Sequence, residues 1–448
     1  MKLFFAVWAL FLTQAAHARP EVLELGFREA EQQALASSNR LKAALSDANA
    51  AREQADAQYA ALFPRVSLDG NYRYISEVPR LAVSPAFPPI QFGAHSNYSI
   101  GPALNYTLWD TGTARKSYRG ALKLAEARDE DRKNTQLQLL FSVRSSYVRV
   151  LLALEELRLV NDTLRLARAQ NRDVTSRYQA GAATRLDLVT SGRQTLNYEL
   201  QFAQRQAALA TNLKDLLALV SATGAFDIDR IDRPGPPNVE NVSLVLKFDS
   251  FQKLLAQENR SEPPPPDGSQ PQIQAQSLLS ESLELAAASQ RALLYPTVQL
   301  SAKATLDYPN GPIMERVRQN TVALTLSMPL FEAERARHLA AERVKSAEAA
   351  QHRRDQVRLD MERDFTKTRV LLNSLREQQK LAAEDVERSE EAARLFYDSY
   401  KAGKVNLTDV QSANVQALQS KVNAARIDAQ ILDQINALKA LSGKEVNP

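Results

Sequence analysis

The chain has 448 residues, 44% of them apolar, with 14 glycines and no cysteine. Few glycines beside much Ala, Leu, Gln, Glu and Arg favour long helices over a compact α/β enzyme. The missing cysteines exclude disulfides, thiolate metal sites, a cysteine nucleophile and a lipidated cysteine. Net charge is +4, but Lys and Arg alternate with Asp and Glu along helical faces instead of forming the basic stripe of a nucleic-acid binder.

Met1 and Lys2 lead into the apolar run Leu3–Leu12 and then Ala16-His17-Ala18. That is the pattern of an export signal, residues 1–18, cleaved after Ala18, its apolar core too short to span a bilayer. A first structural repeat is expected over 19–223. It opens with a helix from about Val22 to Leu62 that Pro64 ends. In the hairpin 65–109, Val66, Leu68, Gly70, Tyr72 and Tyr74 alternate with Arg65, Ser67, Asp69, Asn71 and Arg73. Tyr98, Ile100, Pro102, Leu104, Tyr106 and Leu108 alternate in the same way with Asn97, Ser99, Gly101, Ala103, Asn105 and Thr107. Such period-two strands of about ten residues with aromatic ends suit a tilted membrane strand with one lipid face and one wet face. Soluble half-buried strands alternate too, so the rest of the chain must decide. The intervening 76–96, with four prolines, reads as an exposed loop.

A helix then runs from Thr113 to about Tyr178, on the order of 100 Å long at 1.5 Å per residue. Leu140, Val143, Tyr147, Val150, Leu154, Leu157, Asn161 and Leu164 follow at steps of three and four, a heptad seam that requires a neighbouring helix. Gly181 interrupts it, and a second helix covers 184–220. The Pro-rich 224–272, containing Pro263 to Pro266, reads as a connector with short helical pieces such as 248–257.

From 273 to 448 the tour repeats, as a helix, a hairpin over 297–331, a long helix over 334–400 and a last helix over 406–441. Tyr295-Pro296-Thr297-Val298 answers Phe63-Pro64-Arg65-Val66, and Tyr400-Lys401-Ala402-Gly403 answers Tyr178-Gln179-Ala180-Gly181. Four strands cannot close a barrel, and hydrocarbon does not tolerate an open sheet edge. The chain must therefore assemble with copies of itself, three of which give twelve strands continued by a helical tube.

The order of signal, helix, Phe-Pro-Arg-Val-Ser-Leu strand, Leu-Trp-Asp strand end, long helix and Tyr-x-Ala-Gly turn, all duplicated, resembles the TolC-like outer-membrane efflux proteins. The resemblance covers the mature chain. It implies a mostly α fold with a transmembrane β portion. The assembly would be a homotrimer with a 12-stranded barrel of four strands per protomer, continued by a periplasmic α-helical barrel. The role implied is an outer-membrane exit duct of a tripartite efflux or type I secretion system, with a periplasmic adaptor protein, an inner-membrane transporter and outer-membrane lipid as partners. Residue by residue it puts Gly181 and Gly403 at adaptor-docking turns, and Asp409 in a carboxylate ring at the periplasmic aperture whose second acidic position is Ser412 here. Asp187 and Tyr400 match a latch whose assisting arginine corresponds to Val405. Helix capping is the competing role for Asp187 and Asp409.

No phosphate loop, Gly-x-Ser-x-Gly elbow or metal signature is found. His338 and His352 stand 14 residues apart on one helix, about 21 Å, too far to share a metal. No enzyme, cofactor or nucleic-acid partner is expected. A soluble periplasmic coiled-coil scaffold would explain the helices but not the strands, and a simple porin would need more strands and fewer helices.

Overall fold

A computed structural model describes residues 23–81, 90–221, 246–258, 263–311 and 313–443. The expected signal, and those parts of the connector and loops not in these ranges, lie outside the described residues. Two structural units divide the chain, and they cut across the two sequence repeats. One holds residues 40–135 and 266–362, the other 1–39, 136–265 and 363–448.

The first unit carries a four-stranded antiparallel sheet. Strand β2 (Arg65–Tyr74) pairs with β5 (Ser96–Trp109), β5 with β7 (Thr297–Tyr308), and β7 with β8 (Val317–Ser327). The duplicated hairpins thus lie side by side in one sheet. Between β2 and β5, β3 (Arg80–Leu81) and β4 (Ile90–Gln91) make a short ladder inside the expected irregular loop. Among the described residues neither β2 nor β8 has a partner along its outer edge.

Register turns four alternating sequences into two faces. Leu104 stands opposite Val66 and Ala302, and Ala302 opposite Val322. Farther along, Tyr98 stands opposite both Tyr72 and Tyr308, and the rings of Tyr98 and Tyr308 stack at 5.3 Å. Apolar side chains on this face stand open, Leu68 at 73%, Val322 at 75% and Leu326 at 69% exposure. The steps from Val298 to Tyr308 cover roughly 33 Å of strand, or about 25 Å of height at a barrel strand's tilt, the depth of an outer-membrane apolar band. On β8 the face ends in Asn320 and Arg318, paired with Ala304 and Leu306 near the tyrosine row, where a long basic side chain reaches out of the apolar layer.

Helix α2 (Asn39–Ala60) leads into β2, and α6 (Pro271–Ala292) leads into β7, its first position set by Pro271. The single helix expected from Val22 to Leu62 is broken. Residues Leu23–Glu24 form β1, α1 spans Phe27–Ser37, and Ser38 leaves helical geometry with ψ 117° before α2 begins. Gly26 gives α1 its N-terminus, and the Ser37 hydroxyl donates to Val220 O at 3.0 Å. The Ser37 hydroxyl also lies 2.6 Å from Gln33 O of its own helix, the local back-bond by which serine competes with the helical ladder.

The second unit is mainly helical and holds the later parts of two long helices that begin in the first. Long helix α3 (Thr113–Gln179) is followed by α4 (Arg185–Leu219), and α7 (Arg335–Lys401) by α8 (Leu407–Ser442). All eight seam positions from Leu140 to Leu164 are buried, Val150, Leu157 and Leu164 completely. The seam also makes α3 apolar enough over one stretch to cross a membrane by composition, yet two thirds of that stretch is packed inside the protein. Glu156 on α3 is buried and meets both Arg205 on α4 at 2.6 Å and Arg426 on α8 at 2.9 Å, so one carboxylate ties three helices.

Tyr147 is a second tie. Its hydroxyl donates to Leu25 O at 2.9 Å and accepts from the Asp249 amide at 3.1 Å, and its ring packs edge-on against Phe27 and Phe248. Asp249 in turn accepts from the Phe27 amide at 2.9 Å. Here β1 runs parallel to β6 (Leu246–Lys247), which precedes α5 (Phe251–Glu258). The helical piece expected at 248–257 is α5; the strand before it, β6, falls within the expected connector.

Gly101 should be the least replaceable residue of the sheet. A Cβ there would lie 2.0 Å from Ala304 O, so Gly101→Ala must push β5 from β7, at about 1–3 kcal/mol as for other overpacked sites. The urea midpoint followed by Trp109 emission is expected to fall; an unchanged midpoint would show that the strands yield freely.

Candidate functional site: the paired helix turns

The long helices end in two turns built alike. After α3, Gly181 takes φ +73°, its amide donates to Tyr178 O, and the next amide, Ala182, donates to Arg177 O at 2.8 Å. After α7, Gly403 takes φ +72°, donates to Tyr400 O, and Lys404 donates to Ser399 O at 2.9 Å. The bond spanning five residues and the left-handed glycine are the helix-ending motif that satisfies the last free carbonyls. No atom lies within 4 Å of a side chain added at either glycine, so these are exposed knuckles required only by backbone geometry.

Each following helix opens with a capping aspartate. Asp187 accepts from the Thr184 amide at 2.9 Å and hydroxyl at 2.7 Å, and the Asp187 amide donates to the Thr184 hydroxyl at 3.1 Å. Asp409 accepts from the Asn406 amide at 3.3 Å. Capping is thus what both carboxylates do in this chain, and it leaves their negative charge at the helix N-terminus, where the dipole favours it. Ser412 is exposed and donates to Thr408 O of its own helix at 3.0 Å.

Behind the turns lies a small core of Val174, Leu407 and Val410, with Tyr397 and Tyr400 against it. Asp173 and Arg177 face these tyrosines from α3. The Tyr397 hydroxyl donates to Asp173 at 3.2 Å, Arg177 pairs with Asp173 at 3.3 Å, and its guanidinium stands 5.7 Å from the centre of the Tyr400 ring. Arg177 also reaches Lys401 O at 3.5 Å, in the last turn of α7, where a cation suits the dipole. Lys401 lies 4.2 Å over the Tyr397 ring. Burial, with the Asp173 carboxylate beside it, pushes the Tyr397 hydroxyl up to about 12. Tyr400 is raised as well, by burial and then by the charge of Asp187, although the two share no hydrogen bond.

The structure therefore brings Tyr400 within electrostatic reach of Asp187 and gathers Asp173, Arg177, Tyr397 and Lys401 around it, four residues that the sequence reading did not single out. Their signal was present as two pairs at helical spacing, Asp173 with Arg177 and Tyr397 with Lys401. The duplication hid it. At the spacing that equates Gly181 with Gly403, Arg177 falls on Ser399 and Tyr397 on Thr175, so the cluster has no counterpart in the other repeat.

A family model described as outer membrane efflux protein matches residues 30–222 and 268–444. The chain belongs to that family. It is 27% identical over 363 residues, 78% of this chain and 71% of the other, to the pyoverdine export outer membrane protein OpmQ of Pseudomonas aeruginosa. Among solved structures it is similar to CusC, with a TM-score of 0.75 at 16% identity over 97% of this chain and 96% of that one. It is also similar to the Campylobacter jejuni CmeC outer membrane channel, with 0.74 at 15% over 99% and 94%. Family membership places the protein in the outer membrane as an efflux channel component, and the structures share its fold.

Two outcomes are expected at the turns. Gly181→Ala and Gly403→Ala should each cost about 1 kcal/mol from the left-handed backbone alone, read as a lowered thermal midpoint; equal midpoints would mean that the turns relax without strain. Because the Tyr397 proton is held more tightly in the folded chain, its contribution is complete below pH 10, the ordinary tyrosine value, and is lost as pH rises toward about 12. Tyrosinate absorbance near 295 nm should therefore lose a component that titrates near pH 12 in Tyr397→Phe, while the still more alkaline component of the buried Tyr147 stays.

Proposed function

We propose that three copies of this chain close a twelve-stranded barrel in the outer membrane and extend it into the periplasm as a helical tube, forming a passive exit duct. The observation that carries this reading is the four-stranded sheet, with one face apolar and open and both outer edges unpaired among the described residues. Hydrocarbon accepts such a sheet only when its edges are paired by copies. A soluble scaffold would have to leave that face in water.

In this reading the duct takes its cargo from a periplasmic adaptor and an inner-membrane transporter, as part of a tripartite efflux or type I secretion system. The exposed knuckles at Gly181 and Gly403 are the points the adaptor grips. Asp409 from three copies forms an acidic ring at the periplasmic mouth, softened by Ser412. Asp187 and Tyr400 hold that mouth shut, and Arg177 supports the reading that this chain fills the place left by Val405 with an arginine from α3.

Heat-resistant trimers in the outer-membrane fraction are the expected product of expression; a water-soluble monomer would overturn the assembly. For the mouth, Tyr400→Phe combined with Asp187→Ala should raise single-channel conductance in planar bilayers, as should Arg177→Ala. Thr184→Ala, which weakens the same helix cap but keeps the carboxylate, should conduct like the parent. Equal conductance in all variants would remove these residues from the latch.

A further inference from the structure

At the end of the sheet where the helices leave it, α6 and α7 enclose a cleft of about 270 Å³ lined by Arg291, Leu294, Tyr295, Arg337, Ala340 and Ala341. We propose that this cleft is a binding site for the phosphate of an anionic phospholipid of the periplasmic leaflet. The inference rests on the membrane placement of the sheet given above and adds a specific ligand site to it.

Three observations converge on the cleft. First, Arg291 is exposed and makes no ion pair or side-chain hydrogen bond among the described residues. The other guanidinium, on Arg337, is held only by Glu334 at 3.0 Å, with both side chains more than half exposed, a pairing that water screens and that exchanges easily. Two arginines on one cleft offer the planar donor forks that match a phosphate's oxygens.

Second, the walls are apolar. Leu294 and Tyr295 come from the turn into β7, and the two alanines leave room between α6 and α7. Beyond the end of β8, Met328, Leu330 and Phe331 stand open, Leu330 at 92%. Charge at the cleft thus adjoins apolar surface continuous with the face assigned to lipid, the arrangement that an amphipathic headgroup with acyl chains requires.

Third, the other helix leaving the sheet is basic in its opening turns too. Arg115, Lys116 and Arg119 begin α3 as Arg335 and Arg337 begin α7. The nearby carboxylate Asp110 is already used, accepting from the Gly112 amide at 2.9 Å and the Ala114 amide at 2.7 Å. The acids beside the cleft in sequence are Glu332, Glu334, which pairs with Arg337, and Glu342, which pairs with Arg343. A zwitterionic headgroup would bring an ammonium against the same arginines, so the cleft should prefer an anionic diester such as phosphatidylglycerol over phosphatidylethanolamine.

The test uses the full-length trimer, delipidated in detergent and offered dioleoyl-phosphatidylglycerol or dioleoyl-phosphatidylethanolamine, with bound lipid counted by native mass spectrometry. The parent should retain phosphatidylglycerol in preference, and Arg291→Gln with Arg337→Gln should lower that retention about tenfold. The Lys pair at these positions should retain an intermediate amount. Equal retention of both lipids by the parent, or of phosphatidylglycerol by parent and Gln variant, overturns the site. Displacement of the lipid by an equal concentration of inorganic phosphate also overturns it, since the pocket would then be an anion site only. Failure of the parent to form trimers or to enter vesicles would count against the membrane reading instead.

Discussion

A peptide group cannot be left unpaired in hydrocarbon, and most of this protein follows from that constraint. The sheet offers lipid an apolar face about as tall as the bilayer's interior, but β2 and β8 each end it with a row of free amides and carbonyls. No element of the same unit covers those edges among the described residues. In the proposed assembly, neighbouring copies of the chain pair those edges. Placing the two hairpins side by side in one sheet lets each copy contribute four contiguous strands and keeps the number of between-copy ladders low.

The helical unit solves a different problem, because its long helices must be packed lengthwise in a fixed register. The seam from Leu140 to Leu164 and a second buried cluster, Phe365, Leu372 and Leu375 of α7 with Ile427, Ile431, Ile435 and Leu438 of α8, supply the apolar contact, and a few polar ties set register. Glu156, shared by Arg205 and Arg426, is the clearest. Taking the carboxylate away would leave two cations facing each other at a half-buried site, which is why such a pair specifies an arrangement more than it stabilises one. Near the turns, the buried hydrogen bond from Asn414 to Gln170 at 3.0 Å has the same character.

Much of this was legible in the sequence wherever a short period carried it. Period two gave the strands and their faces, steps of three and four gave the seam, and the duplication gave the turns at Gly181 and Gly403. What escaped notice depends on contacts between distant residues. The break at Ser38 lies where the chain meets Val220, and Leu246–Lys247 pairs with Leu23–Glu24, more than two hundred residues away. At the turns the repeat suggested equivalence, and so concealed the one-sided cluster in which Arg177 stands over Tyr400. Asp187 and Asp409 read equally well as caps and as functional charges; the structure shows the capping, and a carboxylate bound by amides at a helix start still carries its charge.

The Tyr147 hydroxyl, set between Leu25 and Asp249, has a bearing on how the chain is made. It accepts from one segment and donates to another that are separated by more than two hundred residues, so neither can settle on α3 alone without stranding a polar atom in the dry interior. During synthesis the segment around Leu25, which can already pair with α3 through Glu31 and Arg144, completes its contact with Tyr147 only when the stretch between the duplicated halves has emerged. Closure of the contact around Tyr147 is thereby timed to the passage from the first half of the polypeptide to the second.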